Sequence, residues 1–217
     1  MQIKLDAVSF AYPGRPVFED LNLSIDCRQV IGLTGSNGCG KTTLGKLIMG
    51  FLPPSRGSIC LDQVPVRSIP LWEIGRRIGY LFQNFTCQLF SSTVLAELLF
   101  PFELMNRQLP GMEEKCLALL QSLNFKPNAN ASTFTLSMGE KQRLVLASLL
   151  ISQPSFLILD EPTASLDSRS TQSLLEILEN QKAAGVGMLV ISHDRVFLDA
   201  LCDRFLTIET GGILRAT

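Results

Sequence analysis

The stretch Gly35-Ser36-Asn37-Gly38-Cys39-Gly40-Lys41-Thr42-Thr43 matches G-x-x-x-x-G-K-[ST], the sequence pattern of a phosphate-binding loop. Residues 30–33 ahead of it form an apolar run of buried-strand length, and the apolar residues behind it recur at helical spacing, at Leu44, Leu47, Ile48 and Phe51. In such a strand–loop–helix frame, backbone N–H groups and the start of the helix point at phosphate oxygens. A glycine-rich turn with a surface lysine is the alternative, and it would not need this frame. The stretch therefore predicts that the chain binds a nucleoside triphosphate, with Lys41 at the β- and γ-phosphates and the Thr42 hydroxyl on Mg²⁺.

Two carboxylates end a second apolar run. Residues 156–159 are four bulky apolar residues, and Asp160 and Glu161 follow them. Such a run predicts a buried parallel strand whose carboxyl end faces a ligand crevice. We expect Asp160 to belong to the Mg²⁺ shell and Glu161 to orient the attacking water. The alternative is an acidic turn that happens to follow a strand.

The single histidine of the chain, His193, follows a further apolar run at residues 187–191. A lone histidine is more often a structural hydrogen-bonding residue than a catalytic group. The carboxyl end of a strand is, however, where doubly wound sheets bind their ligands. The position of His193 therefore favours a functional role.

Composition excludes several classes of function. Nineteen Lys and Arg against twenty Asp and Glu give a net charge of −1, and no basic run is present, so we expect no nucleic-acid partner. Apolar residues make up 46% of the chain, yet no window approaches the roughly 18 consecutive apolar residues of a membrane helix. The first residues read directly into a strand, so we expect no signal peptide. The six cysteines lack paired spacing, which argues against zinc and disulfide frameworks and favours a reducing cytosol.

The order of the predicted elements indicates an α/β fold with an inserted helical segment. Strands are predicted near residues 5–10, 21–25, 58–61 and 78–82, and the strict alternation at 21–25 is typical of an antiparallel strand with one solvated face. Helices are predicted near 93–105, 112–123, 136–151 and 169–182. We expect one domain over residues 1–217, with a catalytic core and β subdomain from 1–83 and 154–217 and a helical subdomain over 84–153.

Six motifs, in this order and at this spacing, resemble those of the nucleotide-binding subunits of ATP-binding cassette (ABC) transporters along nearly the whole chain. They are the phosphate-binding loop, Gln83, Leu-Ser-x-Gly-Glu at 136–140, Leu-Asp-Glu-Pro at 159–162, Ser-Leu-Asp at 165–167 and His193. The resemblance implies a P-loop NTPase (RecA-like) core with an antiparallel β subdomain and an inserted α-helical subdomain. It also implies an ATPase that uses ATP and Mg²⁺ to drive transport.

The resemblance also assigns roles to individual residues. Considered alone, Tyr12 is expected to be a turn residue that covers the edge of the core. The resemblance implies instead that its ring stacks on adenine. Gln83 would bind the metal and, at the hinge to the helical insert, couple hydrolysis to a membrane partner. His193 would hold the γ-phosphate, and Asp167 would contact a second ATPase subunit. ATP would be sandwiched between the phosphate-binding loop of one subunit and the helix start of the other, at Ser137, Met138, Gly139 and Glu140.

A narrower resemblance is carried by Gln83-Asn84-Phe85-Thr86-Cys87-Gln88-Leu89-Phe90 with Val94, Glu97 and Phe100. It is similar to the Gln-Asn-Pro-Asp-x-Gln-hydrophobic-Phe motif of energy-coupling-factor ATPases, although Phe85-Thr86 replaces Pro-Asp. The resemblance implies a vitamin or transition-metal importer whose ATPase docks on a transmembrane subunit, at the cytoplasmic face of the membrane. The ATPase subunit of another ABC importer or exporter and a non-transport cassette, such as one for iron–sulfur assembly, remain the alternatives. Either a homodimer or a heterodimer fits.

Met138 departs from the family pattern, in which Leu-Ser-Gly-Gly-Gln is usual and glycine stands at this position. The backbone here would approach the γ-phosphate bound by the opposite subunit, and glycine permits that approach without a Cβ. The methionine side chain could point away and leave the amides free, which we favour. It could instead crowd the interface and slow closure of the dimer.

Overall fold

The computed structural model describes residues 1–104, 110–126, 128–209 and 214–216 of the chain. Its strands, numbered in chain order, are β1 Gln2–Tyr12, β2 Arg15–Asp26, β3 Val30–Gly35, β4 Arg56–Leu61, β5 Val64–Pro65, β6 Ile78–Leu81, β7 Phe156–Asp160, β8 Gly187–Ile191, β9 Arg204–Ile208 and β10 Leu214–Ala216. Its α-helices are α1 Lys41–Ile48, α2 Leu71–Arg77, α3 Val94–Leu104, α4 Met112–Ser122, α5 Met138–Ile151, α6 Ser168–Ala183 and α7 Arg195–Leu201. Short 3-10 turns lie at Val66–Ser68, Phe85–Gln88 and Thr133–Thr135.

A four-stranded antiparallel sheet with the order β2-β1-β4-β5 forms one layer. In β2 the apolar residues on one face, Leu21 and Ile25 among them, are buried, while most of their neighbours are exposed. This pattern confirms the predicted antiparallel strand at 21–25, which the structure extends to twelve residues. Tyr12 is the last residue of β1 and does not belong to the turn that follows it.

A six-stranded sheet with the order β10-β9-β3-β8-β7-β6 forms the second layer. All of its pairings are parallel except that between β9 and β10. Strands β7 and β8 are buried along their whole length, as their unbroken apolar runs predict for parallel strands covered on both faces. This arrangement is the predicted α/β architecture.

Two hydrophobic cores lie on opposite faces of the large sheet. Successive side chains of a strand point to opposite faces, so β7 sends Phe156 and Ile158 into one core and Leu157 and Leu159 into the other. The first core is completed by α1 and the antiparallel sheet, and the second by helices from α3 to α7. The helices of residues 84–153 thus share their core with the sheet, and the predicted boundaries of a helical subdomain stay a prediction.

The helix after the phosphate-binding loop is shorter than its apolar pattern predicts. Gly50 adopts φ 75°, and it donates its N–H to the Leu47 carbonyl at 3.0 Å while Phe51 donates to Lys46 at 3.0 Å. These two bonds are those of a Schellman motif, which ends a helix at a left-handed glycine. Phe51 therefore lies outside α1, contrary to prediction, and packs against the rings of Tyr80 and Phe82.

The helical segment contains α3, α4 and α5, packed against one another. The predicted helices over 112–123 and 136–151 are confirmed to within two residues at each end. The predicted end of α3 at residue 105 lies outside the described residues. Of the helices in the described part of the chain, none has the length and apolarity needed to cross a bilayer.

Candidate nucleotide-binding site

The carboxyl ends of three neighbouring strands bring the predicted site residues together. Strand β8 lies between β3 and β7 in the sheet. The loop after β3, the carboxylates at the end of β7 and the histidine after β8 therefore meet at the carboxyl end of the sheet. A cavity of about 550 Å³ opens there. It is lined by Tyr12, Arg15, Val17, Asn37, Gly38, Gly40, Lys41, Thr42, Thr43, Gln83, Asp160, Glu161, Ala164, Ile191 and His193.

The phosphate-binding loop curls around the ammonium group of Lys41. This group donates hydrogen bonds to the carbonyl oxygens of Gly35 at 2.7 Å and Ser36 at 3.0 Å. At Gly40 the backbone adopts φ 114°, and a Cβ there would lie 2.8 Å from side-chain atoms of Val17 and Phe18. Glycine is therefore required at this position both by conformation and by the close approach of β2.

Thr42 and Asp160, two of the predicted metal ligands, place their side-chain oxygen atoms side by side. The Thr42 hydroxyl donates to Asp160 Oδ2 at 2.6 Å, and Asp160 is only 2% exposed. Burial raises the pKa of the Asp160 carboxyl above its ordinary value, although the hydrogen bond from Thr42 opposes this shift. A hydroxyl and a carboxylate side by side suit the oxygen coordination that Mg²⁺ prefers. Gln83, the third predicted ligand, lines the same cavity.

Glu161 and His193 lie side by side in the wall of the cavity. Glu161 has φ 54°, which is uncommon for a residue other than glycine, and it donates its N–H to the Ile191 carbonyl at 2.8 Å. This turn places Glu161 Oε1 3.5 Å from His193 Nε2, and the His193 N–H is 3.4 Å from Oε2. The carboxylate is thus held beside the nucleotide cavity by the end of the neighbouring strand.

Tyr12 and Arg15 form one wall of the cavity from the antiparallel sheet. They pair across the hairpin of β1 and β2, and the Tyr12 ring packs edge-on against Phe10 with centroids 5.0 Å apart. Arg15 donates a hydrogen bond from Nη2 to the Gly38 carbonyl at 2.8 Å. Sequence reasoning missed Arg15. Its signal was its place directly after the Pro13-Gly14 turn, opposite the predicted adenine-binding tyrosine.

The other residues of the loop border a second depression or pack against β9. Ser36 and Cys39 border a smaller depression of about 300 Å³ that Asn37 and Gly38 also line. Gly35 adopts φ 142°, and a Cβ there would lie 2.5 Å from the Ile208 carbonyl oxygen. Gly35 therefore fixes the loop against β9 and contributes its carbonyl to Lys41.

The segment at Ser137 lies apart from this cavity. Ser137 and Glu140 form a capping box at the start of α5, in which the Ser137 N–H and hydroxyl both donate to Glu140 Oε2, at 2.8 Å and 2.7 Å. Hydrogen bonds from the Ser137 hydroxyl and amide lower the pKa of Glu140. A Cβ at Gly139 would lie 2.8 Å from the Ser165 carbonyl oxygen, whereas Met138 is 53% exposed.

Asp167, the predicted contact to a second subunit, is the N-cap of α6. Its side chain accepts a hydrogen bond from the Ser170 N–H at 2.7 Å. Capping of α6 is therefore a sufficient reason, within a single subunit, for an aspartate at position 167. Its predicted contact with a second subunit stays a prediction.

A second cavity of about 780 Å³, called the aromatic groove below, lies beside the helical segment. Among its lining residues are Trp72, Phe82, Phe90, Phe100 and Leu104, and the Phe90 and Phe100 rings stack with centroids 5.7 Å apart. The Phe90 side chain is 71% exposed. So large an apolar surface open to solvent is typical of an interaction site.

Comparison with known proteins places these features in one family. The family model described as ABC transporter matches residues 18–164. The energy-coupling factor transporter ATP-binding protein EcfA1 of Thermotoga maritima is 34% identical over 98% of this chain and 80% of its own length. The protein of the same name from Leuconostoc mesenteroides is 35% identical over 96% of this chain and 78% of its own.

Solved structures show the same fold. A dimeric bacterial ABC transporter cassette superposes with a TM-score of 0.87 at 24% identity, over 99% of this chain and 97% of its own. An ATP-binding subunit of an ABC transporter gives a TM-score of 0.87 at 24% identity, over 100% of this chain and 90% of its own. With the family model matching most of the chain and relatives above 30% identity along it, the chain belongs to the ABC transporter family.

Proposed function

We propose that this chain is the ATP-hydrolysing subunit of a membrane transporter, of the energy-coupling-factor type that imports a vitamin or a transition-metal ion. The observation that carries the proposal is that Lys41, the Thr42–Asp160 pair and the Glu161–His193 pair meet at the carboxyl end of the large sheet. These are the parts that phosphoryl transfer to water requires: a cradle for phosphate, metal ligands and a group that orients the water. The names of the relatives support the transport role.

The residues divide the chemistry among them. On ATP binding, the Lys41 ammonium exchanges its bonds to the Gly35 and Ser36 carbonyls for phosphate oxygens. Thr42, Asp160 and Gln83 would hold Mg²⁺, which would supply positive charge against the negative charge that develops on the β- and γ-phosphates. Glu161 accepts a hydrogen bond from the attacking water and aligns it with the γ-phosphorus. His193 holds the γ-phosphate beside Glu161, so that water and phosphate keep one orientation.

A second ATPase subunit completes the site in this proposal. The start of α5 is fixed by its capping box, and the N-terminal end of a helix favours an anion. Because Ser137 lies outside the nucleotide cavity of its own subunit, the helix start would act on ATP held by the partner. The dimeric cassette among the similar structures supports such a pairing.

The aromatic groove would receive a cytoplasmic helix of the transmembrane subunit. Its exposed rings fit the helix-in-groove mode, in which apolar side chains of an amphipathic helix enter a hydrophobic cleft. The groove shares the segment after β6 with the nucleotide cavity, since Gln83 lines the cavity and Phe82 and Gln88 line the groove. Docking there would hold the ATPase at the cytoplasmic face of the membrane.

Two substitutions test the catalytic proposal. Lys41→Ala should lose tight ATP binding, because the β/γ-phosphates lose their point charge. Glu161→Gln should bind ATP with native affinity, hydrolyse it at least about 100-fold more slowly and accumulate as an ATP-bound dimer. Steady-state ATPase assays, nucleotide binding and size exclusion with ATP measure these effects.

The exposed Glu179→Gln in α6 provides a matched control for the loss of one carboxylate, and it should hydrolyse ATP as the native protein does. A Glu161→Gln protein that turned over at near the native rate would show that Glu161 does not orient the water.

A further inference from the structure

The edge of the large sheet is completed by a side chain. Within the described residues β6 has β7 on one side and no strand on the other, so the outward Tyr80 carbonyl and Phe82 N–H lack a strand partner. Gln88 supplies both bonds. Its Nε2 donates to the Tyr80 carbonyl at 2.7 Å, and its Oε1 accepts from the Phe82 N–H at 2.8 Å. One side-chain amide thus pairs with the strand as a peptide group of a neighbouring strand would.

The bonded strand end leads directly into the nucleotide cavity. Phe82, whose N–H Gln88 holds, immediately precedes Gln83, which lines that cavity. Gln88 itself lines the aromatic groove together with Phe82 and Phe90. The same amide therefore contacts the backbone that fixes the position of Gln83 and the surface proposed to receive a partner.

The other end of the segment that follows β6 is also held by hydrogen bonds to a side chain. Glu97 is 2% exposed, and its Oε2 accepts from the N–H groups of Phe90 at 2.9 Å and Ser91 at 2.7 Å. The segment from Phe82 to Ser91 is consequently anchored at one end to the sheet and at the other end to α3.

We propose that Gln88 is a positioning residue for ATP hydrolysis. It holds the end of β6, and with it Gln83, in register with the nucleotide cavity. This inference rests on the proposed ATPase function and adds to it a residue that fixes the position of Gln83. Gln88 does not line the nucleotide cavity, so its effect on the reaction passes through Gln83.

The test is a double-mutant cycle on the purified protein. Gln88→Leu keeps the approximate size of the side chain but removes both hydrogen bonds, and we expect kcat to fall about tenfold with KM for ATP within about twofold of native. Gln83→Ala should lower kcat at least as much. In the Gln83→Ala background, Gln88→Leu should cause no further loss, since residues that act through one another are not additive.

Thr86→Val is the matched control. It removes a side-chain hydrogen bond of the same turn, from Thr86 to Asn84 Oδ1 at 2.6 Å, without touching β6. Its kcat should stay within about twofold of native. Gln88→Glu serves if the leucine variant does not fold, because a carboxylate retains the acceptor for Phe82 but faces the Tyr80 carbonyl without a donor, and it should show the same kcat loss and the same non-additivity.

Multiplicative losses in the cycle, or a folded Gln88 variant with native kcat, would overturn the inference. A native protein that hydrolyses no ATP would overturn the proposed function and this inference with it. That failure appears before any Gln88 variant is measured and is therefore distinguishable.

Discussion

Asp160 carries its carboxyl group in an environment that disfavours the charged form. It is buried at the end of β7 and has the Thr42 hydroxyl as its hydrogen-bond donor. Burial disfavours the ionised carboxylate, so the pKa of Asp160 lies above its ordinary value of 3.8. The native state therefore binds a proton more tightly than the unfolded chain does. Ionisation of Asp160 costs folding stability that a bound cation would restore.

This cost gives the first prediction at the residue scale. Stability falls as pH rises from about 3.8 through the raised pKa of Asp160, because the native state there binds more protons than the unfolded state. Asp160→Asn removes the charge and keeps an acceptor for Thr42. We expect it to raise the melting temperature of magnesium-free protein at pH 7 by about 2–4 °C, with the gain disappearing below the ordinary carboxyl pKa.

Thermal melts with and without Mg²⁺ measure both effects, since the same variant should lose stabilisation by Mg²⁺. The exposed Glu19→Gln is the control and should leave the melting temperature unchanged at both pH values. An Asp160→Asn protein less stable than native at pH 7 would contradict the assignment of a buried, poorly compensated charge.

Tyr12 gives the second prediction at this scale. Its ring lines the nucleotide cavity and is 39% exposed, and its hydroxyl lies 3.5 Å from Thr43 Oγ1, too far for a strong hydrogen bond. If the ring stacks on adenine, Tyr12→Ala should raise the Kd for ATP by about one to two orders of magnitude, because base–aromatic stacking contributes ~1–3 kcal/mol. Tyr12→Phe should bind as native does. Equal losses for both variants would indicate a hydroxyl contact instead.

The site residues that could be predicted from sequence motifs are those whose chemistry requires one particular residue type. Lys41, Thr42, Asp160 and Glu161 could be identified because a phosphate cradle and a metal admit few alternatives, and the structure brings them together. Arg15 could not be identified, since its place in the cavity depends on the pairing of β1 with β2 and on the approach of that hairpin to Gly38. A single sequence does not encode that approach in any local pattern.

Among the elements, α5 shows how adjacent residues of one motif differ in their constraints. Gly139 faces the Ser165 carbonyl oxygen at a distance that leaves no room for a Cβ, whereas the Met138 side chain is largely exposed. The requirement for glycine at 139 therefore arises within one subunit. Any constraint on residue 138 must come from the proposed partner subunit.

This contrast predicts opposite outcomes for two substitutions. Met138→Gly should leave ATPase activity within about twofold of native, whereas a tenfold rise, ~1.4 kcal/mol of barrier, would show that methionine impairs the site. Gly139→Ala should lower stability by about 1–3 kcal/mol, because the new methyl group overlaps the Ser165 backbone. ATPase assays and denaturant unfolding of the two variants distinguish these effects.

Helices and strands could be predicted where burial of one face gives the apolar residues a regular spacing, and could not be predicted where that spacing is absent. The long amphipathic helices and the apolar parallel strands were identified from their spacing. Helix α2 was missed because Ile74 alone is buried among its seven residues, so no periodic pattern marks it. Helix α7 also has only seven residues, too few to show a helical period in the sequence. The predicted extension of α1 to Phe51 was wrong because Gly50 ends the helix.

For the whole molecule, the groove and the nucleotide cavity lie on two sides of the same segment. Phe90 is a suitable probe because its side chain is largely exposed and its loss should not disturb the core. Phe90→Asp should melt within about 2 °C of native, since surface substitutions rarely exceed ±0.5 kcal/mol. It should no longer co-purify from membranes with an integral membrane subunit.

Val196→Asp is the matched control, because Val196 is even more exposed than Phe90 but lies on α7 outside the groove. It should retain the membrane subunit, which mass spectrometry of the purified complex would identify. A Phe90→Asp protein that keeps the subunit would exclude the aromatic groove as the docking site.

The order of the large sheet also governs how the protein forms during translation. Strand β3, which carries the phosphate-binding loop, pairs with β8 and β9, so Val30 meets Met188 and Ile31 meets Arg204. Both neighbours leave the ribosome more than 150 residues after β3 does. A nascent chain that ends before β8 therefore has a complete loop sequence but no strand on either side to hold it. ATP cannot assist folding on the ribosome, because its binding site forms only when almost all of the polypeptide has emerged.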